Sequence, residues 1–204
     1  MEVFVFGEYE VKAPEGSRLA EICGELKQEF PQLRMSHKRK MWRHRIAHVL
    51  VIIFTLGLNR KYLRKFTTTS RNRIDWSDAH NERIEKVKEL DRVWECLRHE
   101  REHLRQFRDK GTLIMVLIWL IPPILFCYGR AISIEKPGYL ESLRAKFESC
   151  RAWAEHSEYR RWWVRQFTGP NYGFMWVMKS HVGGWFDEEL KRLQKEDVSG
   201  STGA

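Results

Sequence analysis

The stretch TLIMVLIWLIPPILFCYG, residues 112–129, decides the fold that this sequence predicts. Its 18 residues carry no charge, and a helix of that length is about 27 Å long, close to the hydrocarbon thickness of a bilayer. Pro122 and Pro123 would kink the helix, which membrane-spanning helices tolerate. We therefore predict a transmembrane helix over residues 112–134, with a buried core helix as the alternative.

A second apolar run, IAHVLVIIFTLGL at 46–58, is shorter, and as a helix it would be about 20 Å long. Residues 34–45 and 59–73, which flank it, each carry six basic and no acidic side chains. This pattern predicts a short or tilted span with basic collars, although a re-entrant segment or a core helix also fits. The collar residues that we predict to bind anionic lipid are Arg43, Arg45, Arg60, Lys61 and Arg64.

The bulk composition allows one ordinary domain, or a small domain with membrane segments. The chain has 204 residues, 31% of them charged and 43% hydrophobic, with a net charge of +9. Its four cysteines are scattered without metal-binding or disulfide spacing, which indicates reduced thiols. We find no phosphate loop or dinucleotide motif and predict no cofactor.

The N-terminus predicts two strands and a helix. EVFVF and EYEVKA flank Gly7-Glu8, and Ser17 is placed to cap a helix that runs to about Phe30, before Pro31. A hairpin followed by a helix resembles the opening of ubiquitin-like β-grasp domains. The later strands of that fold are not visible in the sequence, and we assign no family.

Residues 98–103, RHEREH, match the HExxH motif of zinc peptidases through His99, Glu100 and His103. They also match the inverted HxxEH motif through Glu102. A zinc peptidase is therefore one candidate function. Cys96 shares a helix face with the two histidines and could join them on a metal.

We nevertheless interpret the match as accidental and predict a protein that is not an enzyme. Residues 82–108 are expected to form one amphipathic helix whose polar side, with both histidines, is solvated. Arg98 and Arg101 would oppose a dication, and no third ligand stands in a recognisable setting. The apolar stripe of this helix comprises Leu90, Val93, Leu97 and Leu104.

The C-terminal third is rich in aromatic residues. Between Trp153 and Phe186 lie ten aromatic residues, five of them tryptophans, which fit a local core, a membrane interface or a protein interface. Residues 139–167 predict a long helix, and Gly183-Gly184 precedes a last short helix.

The sequence thus predicts a mostly α-helical integral membrane protein with one or two transmembrane helices, long amphipathic helices outside the membrane and a small N-terminal ββα motif. The expected segments are 1–33 (ββα motif), 34–73 (basic-flanked apolar segment), 74–111 (charged helix), 112–134 (transmembrane helix), 135–198 (aromatic-rich helices) and 199–204 (polar tail).

The predicted function is that of a non-catalytic accessory subunit in a large energy-converting complex of the mitochondrial inner membrane, such as a respiratory-chain complex or ATP synthase. Its partners would be other subunits and anionic lipids such as cardiolipin. A basic RNA-associated protein, for example a mitochondrial ribosomal subunit, is the first alternative. The HExxH zinc peptidase is the second.

Overall fold

A computed structural model describes residues 1–54, 62–65, 67–84, 89–115, 134–169 and 179–201. The chain divides into two compact units, Met1–Val116 and Leu117–Ala204. The described residues are mostly helical, with small β elements near the N-terminus.

The first unit opens with the expected hairpin and helix. Strands β1 (Glu2–Phe6) and β2 (Tyr9–Ala13) pair antiparallel. The turn between them contains Gly7, whose positive φ of 71° favours glycine. Helix α1 (Arg18–Glu29) begins at Ser17, whose hydroxyl accepts a hydrogen bond from the Ala20 amide at 3.2 Å.

A second sheet follows that the sequence did not predict. Strand β3 (Arg34–His37) leads through a 3₁₀ turn (Lys38–Lys40) into helix α2 (Trp42–Phe54) and the short helix α3 (Tyr62–Lys65). Strands β4 (Thr68–Ser70) and β5 (Arg73–Trp76) complete the sheet in the order β3-β5-β4. Because β3 and β5 run parallel, residues about 40 positions apart become neighbours, for example Ser36 and Asp75.

Helices α4 (Asp78–Ile84) and α5 (Leu90–Lys110) follow, and residues 112–115 are also helical. Helices α4 and α5 occupy the region where we predicted one helix over 82–108, and residues 85–88 of that helix lie outside the described residues. The expected apolar stripe is present, because Val93, Leu97 and Leu104 are buried.

The prediction of an integral membrane protein is wrong for the part of the chain that the structure describes, where no helix is both long and apolar enough to cross a bilayer. Helix α2, which covers residues 46–54 of the first apolar run, has 13 residues, about 20 Å, against the roughly 30 Å of a hydrocarbon core. The longer helix α5 is rich in charged residues. Most of the predicted second span, residues 116–133, lies outside the described residues.

The second unit is described by four helices, α6 (Lys136–Ser149), α7 (Arg151–Ala154), α8 (Ser157–Thr168) and α9 (Lys179–Ser201). The expected helix over 139–167 is therefore interrupted at Cys150 and again before Ser157. The expected break at Gly183-Gly184 is absent, since α9 runs through both glycines.

The second unit has an aromatic core. Trp163 is fully buried, and its indole N–H donates to the Tyr139 carbonyl at 3.1 Å. Its ring lies 5.0 Å from that of Phe167 and 5.5 Å from that of Phe186. Of the three explanations for the aromatic residues, a local core therefore applies to these side chains.

Candidate functional site: a histidine pair on a buried helix face

The HExxH residues lie on a buried face of α5. Glu100 is 6% exposed and His103 is 9% exposed, while His99 is half-buried. The expectation that this side of the helix is solvated is wrong, because the helix is covered on more than its apolar stripe. Strand β4 contributes to that cover through Thr69.

The two imidazoles of this pair converge at their Nε2 atoms. The Nε2 atoms of His99 and His103 lie 3.1 Å apart, and the rings are steeply inclined at 77°. Two imidazole nitrogens bound to one zinc ion at about 2.0–2.1 Å and a tetrahedral angle would lie about 3.3 Å apart. The spacing suits a hydrogen bond between the rings and also suits a shared metal ion.

Gln106 sets the tautomer of His103. Nδ1 of His103 lies 3.3 Å from the Gln106 amide oxygen, which can only accept a hydrogen bond. An Nδ1–H that donates to Gln106 leaves the lone pair of His103 on Nε2, directed toward His99. Metal-binding histidines in proteins are commonly oriented by such an outer hydrogen bond.

Glu100 is held by two neighbours. Thr69 Oγ1 donates to Glu100 Oε2 at 2.6 Å, and the Cys96 thiol lies 4.0 Å from Oε1. Burial, together with the Glu100 charge, raises the pKa of Cys96 well above its usual range. Cys96 is therefore a neutral thiol that donates to Glu100.

The two arginines that argued against a metal are engaged elsewhere. The Arg98 guanidinium lies 5.2 Å from the centre of the Trp94 ring. Arg101 forms ion pairs with Glu25 and Glu29 of α1, the second at 2.7 Å. Arg101 is paired with two carboxylates and Arg98 lies against an aromatic ring. The two arginines therefore repel a bound dication less strongly than the sequence suggested.

Two further titratable groups lie close to this face, Lys38, which is buried, and His80, which is partly buried. Burial lowers the pKa of Lys38 to about 7, although the charges of Glu100 and Asp75 raise it. Burial and the charge of Arg83 lower the pKa of His80 to about 4, and its Nδ1 lies 2.9 Å from Ser77 Oγ. His80 is therefore a neutral side chain at physiological pH.

Asp75 is the centre of the charge cluster in the first unit. Its Oδ2 accepts from Arg43 at 2.7 Å and lies 2.8 Å from Nε2 of His44, and its Oδ1 accepts from Arg73 at 2.9 Å. Burial alone would raise the pKa of Asp75, but the hydrogen bonds from His44 and Ser36 outweigh it and hold the pKa well below its usual range. Asp75 is thus a buried permanent anion.

The residues predicted to bind lipid have varied surroundings. Arg43 is paired with Asp75, Nε of Arg45 donates to the Arg39 carbonyl at 3.2 Å, and Arg64 is exposed. Arg60 and Lys61 lie outside the described residues. Lipid binding by these side chains stays a prediction.

Sequence reasoning missed the burial of Glu100 and His103 and the role of Asp75. One signal was available: Asp75 and Asp78 are the first acidic residues after the two basic segments 34–45 and 59–73, and buried cations need such partners. Asp78 accepts from Arg39 at 2.8 Å and lies 2.8 Å from Nε2 of His37. Comparison of the chain with protein-family models, with curated protein sequences and with solved structures gave no match.

Proposed function

We propose that this protein is a zinc-dependent hydrolase of the HExxH type that acts on peptide bonds. His99 and His103 would hold the metal and Glu100 would be the general base. The observation that carries the proposal is the 3.1 Å approach of the two Nε2 atoms on a buried helix face.

Each side chain of the motif has a suitable position for its role. His103 presents Nε2 because Gln106 accepts from its Nδ1. A zinc ion bound there would supply a Lewis acid and a water of lowered pKa. Glu100 directly follows the first ligand, and its carboxylate would accept a proton from such a water and pass it to the leaving amine. Thr69 fixes one oxygen of that carboxylate.

A third protein ligand would come from later in the chain. In the His₂Glu class of catalytic zinc sites, that ligand is a glutamate. We propose His99 and His103 as the two histidine ligands of such a site and assign no residue to the third position.

The other functions that we weighed have less support. The accessory subunit, its partner subunits and its mitochondrial location were inferred largely from predicted spans, and they stay predictions of the sequence. The RNA-associated alternative rests on the cations of the basic segments. Lys38 is buried, and the charges of Arg39, Arg43 and Arg73 are partly neutralised by Asp78 and Asp75, so fewer cations are available than the sequence suggests.

Metal analysis of the full chain tests the proposal. The protein, loaded with zinc and freed of excess metal by gel filtration, should hold one zinc per chain. His99→Asn and His103→Asn should each lose it. Glu100→Gln should keep zinc but lose hydrolysis of a mixed peptide library, because only the base is removed.

His181→Asn is the matched control, since His181 lies in the second unit, outside the motif, and this variant should keep both zinc and activity. Circular dichroism verifies that every variant is folded. If the folded wild type holds no more zinc than the His103→Asn variant, the site does not exist. If zinc binds but Glu100→Gln hydrolyses peptides as the wild type does, the site is structural and not catalytic.

A further inference from the structure

Helix α2 has two faces of opposite character. One face contains His44, which is buried against Asp75 at 2.8 Å. On the other side, Trp42 is 74% exposed, Ile46 is 52% exposed and Val49 is 54% exposed. Helix α2 therefore contacts Asp75 through His44 and exposes apolar side chains on its opposite side.

The three exposed residues form one stripe. They are spaced at i, i+4 and i+7, which places them on one side of an α-helix. Single exposed apolar side chains are ordinary on protein surfaces, but a contiguous stripe that includes a tryptophan marks a contact surface.

The stripe is surrounded by positive charge. Residues 34–45 contain no acidic side chain. Arg39, Arg43 and Arg45 are exposed, and the first two keep 64% and 42% of their side-chain surface despite their bonds to Asp78 and Asp75. On the helix, Arg43 and Arg45 lie on either side of the stripe, about 100° and 60° from Trp42. An apolar stripe between cations complements an anionic, amphipathic surface.

We propose that the face formed by Trp42, Ile46 and Val49 binds the surface of a membrane that contains anionic lipids. The helix would lie in the headgroup plane, with the apolar stripe inserted and the arginines beside lipid phosphates. Tryptophan is the aromatic residue best suited to that depth. This is contact with one leaflet and not a span, and it does not depend on the proposed zinc site.

Vesicle flotation of the full-length protein tests this contact. The protein should float with vesicles of phosphatidylcholine and phosphatidylglycerol and should not float with phosphatidylcholine alone. Raising the salt from about 0.1 M to about 1 M should release most of it, because the Debye length falls from about 10 Å to 3 Å. The double variant Trp42→Ser/Ile46→Ser should bind roughly tenfold more weakly, because it removes apolar area that would insert. Arg39→Gln and Arg45→Gln should each weaken binding roughly fivefold.

Trp162→Ser is the control for loss of an exposed tryptophan outside the stripe, since Trp162 is 46% exposed in the second unit. This variant should float as the wild type does. The proposal is overturned if the stripe variant floats equally well while circular dichroism shows it folded. It is also overturned if the protein does not bind anionic vesicles but binds single-stranded RNA, and the Trp42→Ser/Ile46→Ser variant binds RNA with the same affinity. The basic segment would then be a nucleic-acid-binding surface.

Discussion

The two units of this chain are stabilised in different ways. The described core of the second unit is a cluster of aromatic rings that includes Trp163, Phe167 and Phe186. The first unit also buries apolar side chains, but among them it buries Lys38, Asp75, Glu100 and His103. Packed rings stabilise a fold through area removed from water, whereas buried charges must be satisfied by partners and are costly to isolate. The second unit buries the carboxylates Glu135 and Glu189, but most of the described buried titratable groups lie in the first unit.

The largest expected effect is in the aromatic core. Trp163→Ala should lower the free energy of unfolding by about 3–5 kcal/mol, because it leaves a cavity and removes the hydrogen bond to Tyr139. Guanidinium denaturation measures the loss, and hydrogen exchange over residues 136–169 locates it. Trp162→Ala, at an exposed neighbour, should change stability by less than about 0.5 kcal/mol. A similar loss in both variants would mean that the core is not where the structure places it.

The next effect is at the centre of the charge cluster. Asp75→Asn should lower the free energy of unfolding by about 2–4 kcal/mol, because it leaves His44, Arg43 and Arg73 without their anion. The partial exposure of Arg43 to solvent reduces this loss of stability. In a hydrogen-exchange experiment, protection of the backbone amides should fall in β3 and β5 and stay unchanged in α9. Because the folded-state pKa of Asp75 is depressed, its stabilisation is present at neutral pH and is lost as the pH falls below the ordinary aspartate range. A variant as stable as the wild type would show that the buried charges contribute nothing.

A smaller effect is expected where α1 meets α5. Hydrogen bonds from Arg105 and Arg101 lower the pKa of Glu29 to about 2, although burial opposes them. Its stabilisation is therefore complete above the unfolded-state pKa of about 4.5 and is lost as the pH falls toward about 2. Glu29→Gln should lower the free energy of unfolding by about 1–2 kcal/mol at pH 7. The effect is modest because the arginine partners of Glu29 are partly solvated.

Denaturation of wild type and Glu29→Gln at several pH values measures this difference. The two stability curves should converge between about pH 4.5 and pH 2. A constant difference across that range would assign the loss to packing and not to charge.

The smallest effect concerns two adjacent glycines in α9. A Cβ at Gly184 would meet nothing within 4 Å, so Gly184→Ala should stabilise the protein by about 0.5–1 kcal/mol through helix propensity. A Cβ at Gly183 would lie 2.7 Å from the Arg160 guanidinium, which donates to Asp187 at 2.6 Å. Gly183→Ala should therefore gain less or lose stability. Thermal denaturation compares the two, and an equal gain would show that the Arg160–Asp187 pair contributes nothing.

Sequence patterns predicted the elements whose signal is local. The N-terminal hairpin, the capped helix and the apolar stripe of α5 follow from turn chemistry, capping and periodicity. Strands β3 and β5 could not be predicted in this way, because each has four residues, carries charge and acquires its partner about 40 positions away. Local propensity does not contain that pairing.

The histidine pair shows the same limit in another form. The periodicity of apolar residues predicted one buried stripe on α5 and a solvent-exposed surface on the rest of the helix. It could not indicate that Glu100 is covered, since Glu100 contacts Thr69, 31 residues earlier. The membrane prediction is wrong for the described residues, where no helix is both long and apolar enough to cross a bilayer. Residues 116–133, on which it chiefly rested, lie outside the described residues.

The parallel pairing of β3 with β5 also has a consequence for folding during synthesis, because β3 is synthesised well before its partner strand. Arg43 and His44 leave the ribosome about 30 residues before Asp75, the anion that later holds both. Until then these side chains stay hydrated, and the apolar stripe of α2 emerges beside them without the contact that orients the helix. Long-range pairings form late in folding because loop closure costs entropy. A nascent chain halted before residue 75 would therefore hold the hairpin and α1 but no charge cluster, and it would be a good substrate for chaperones.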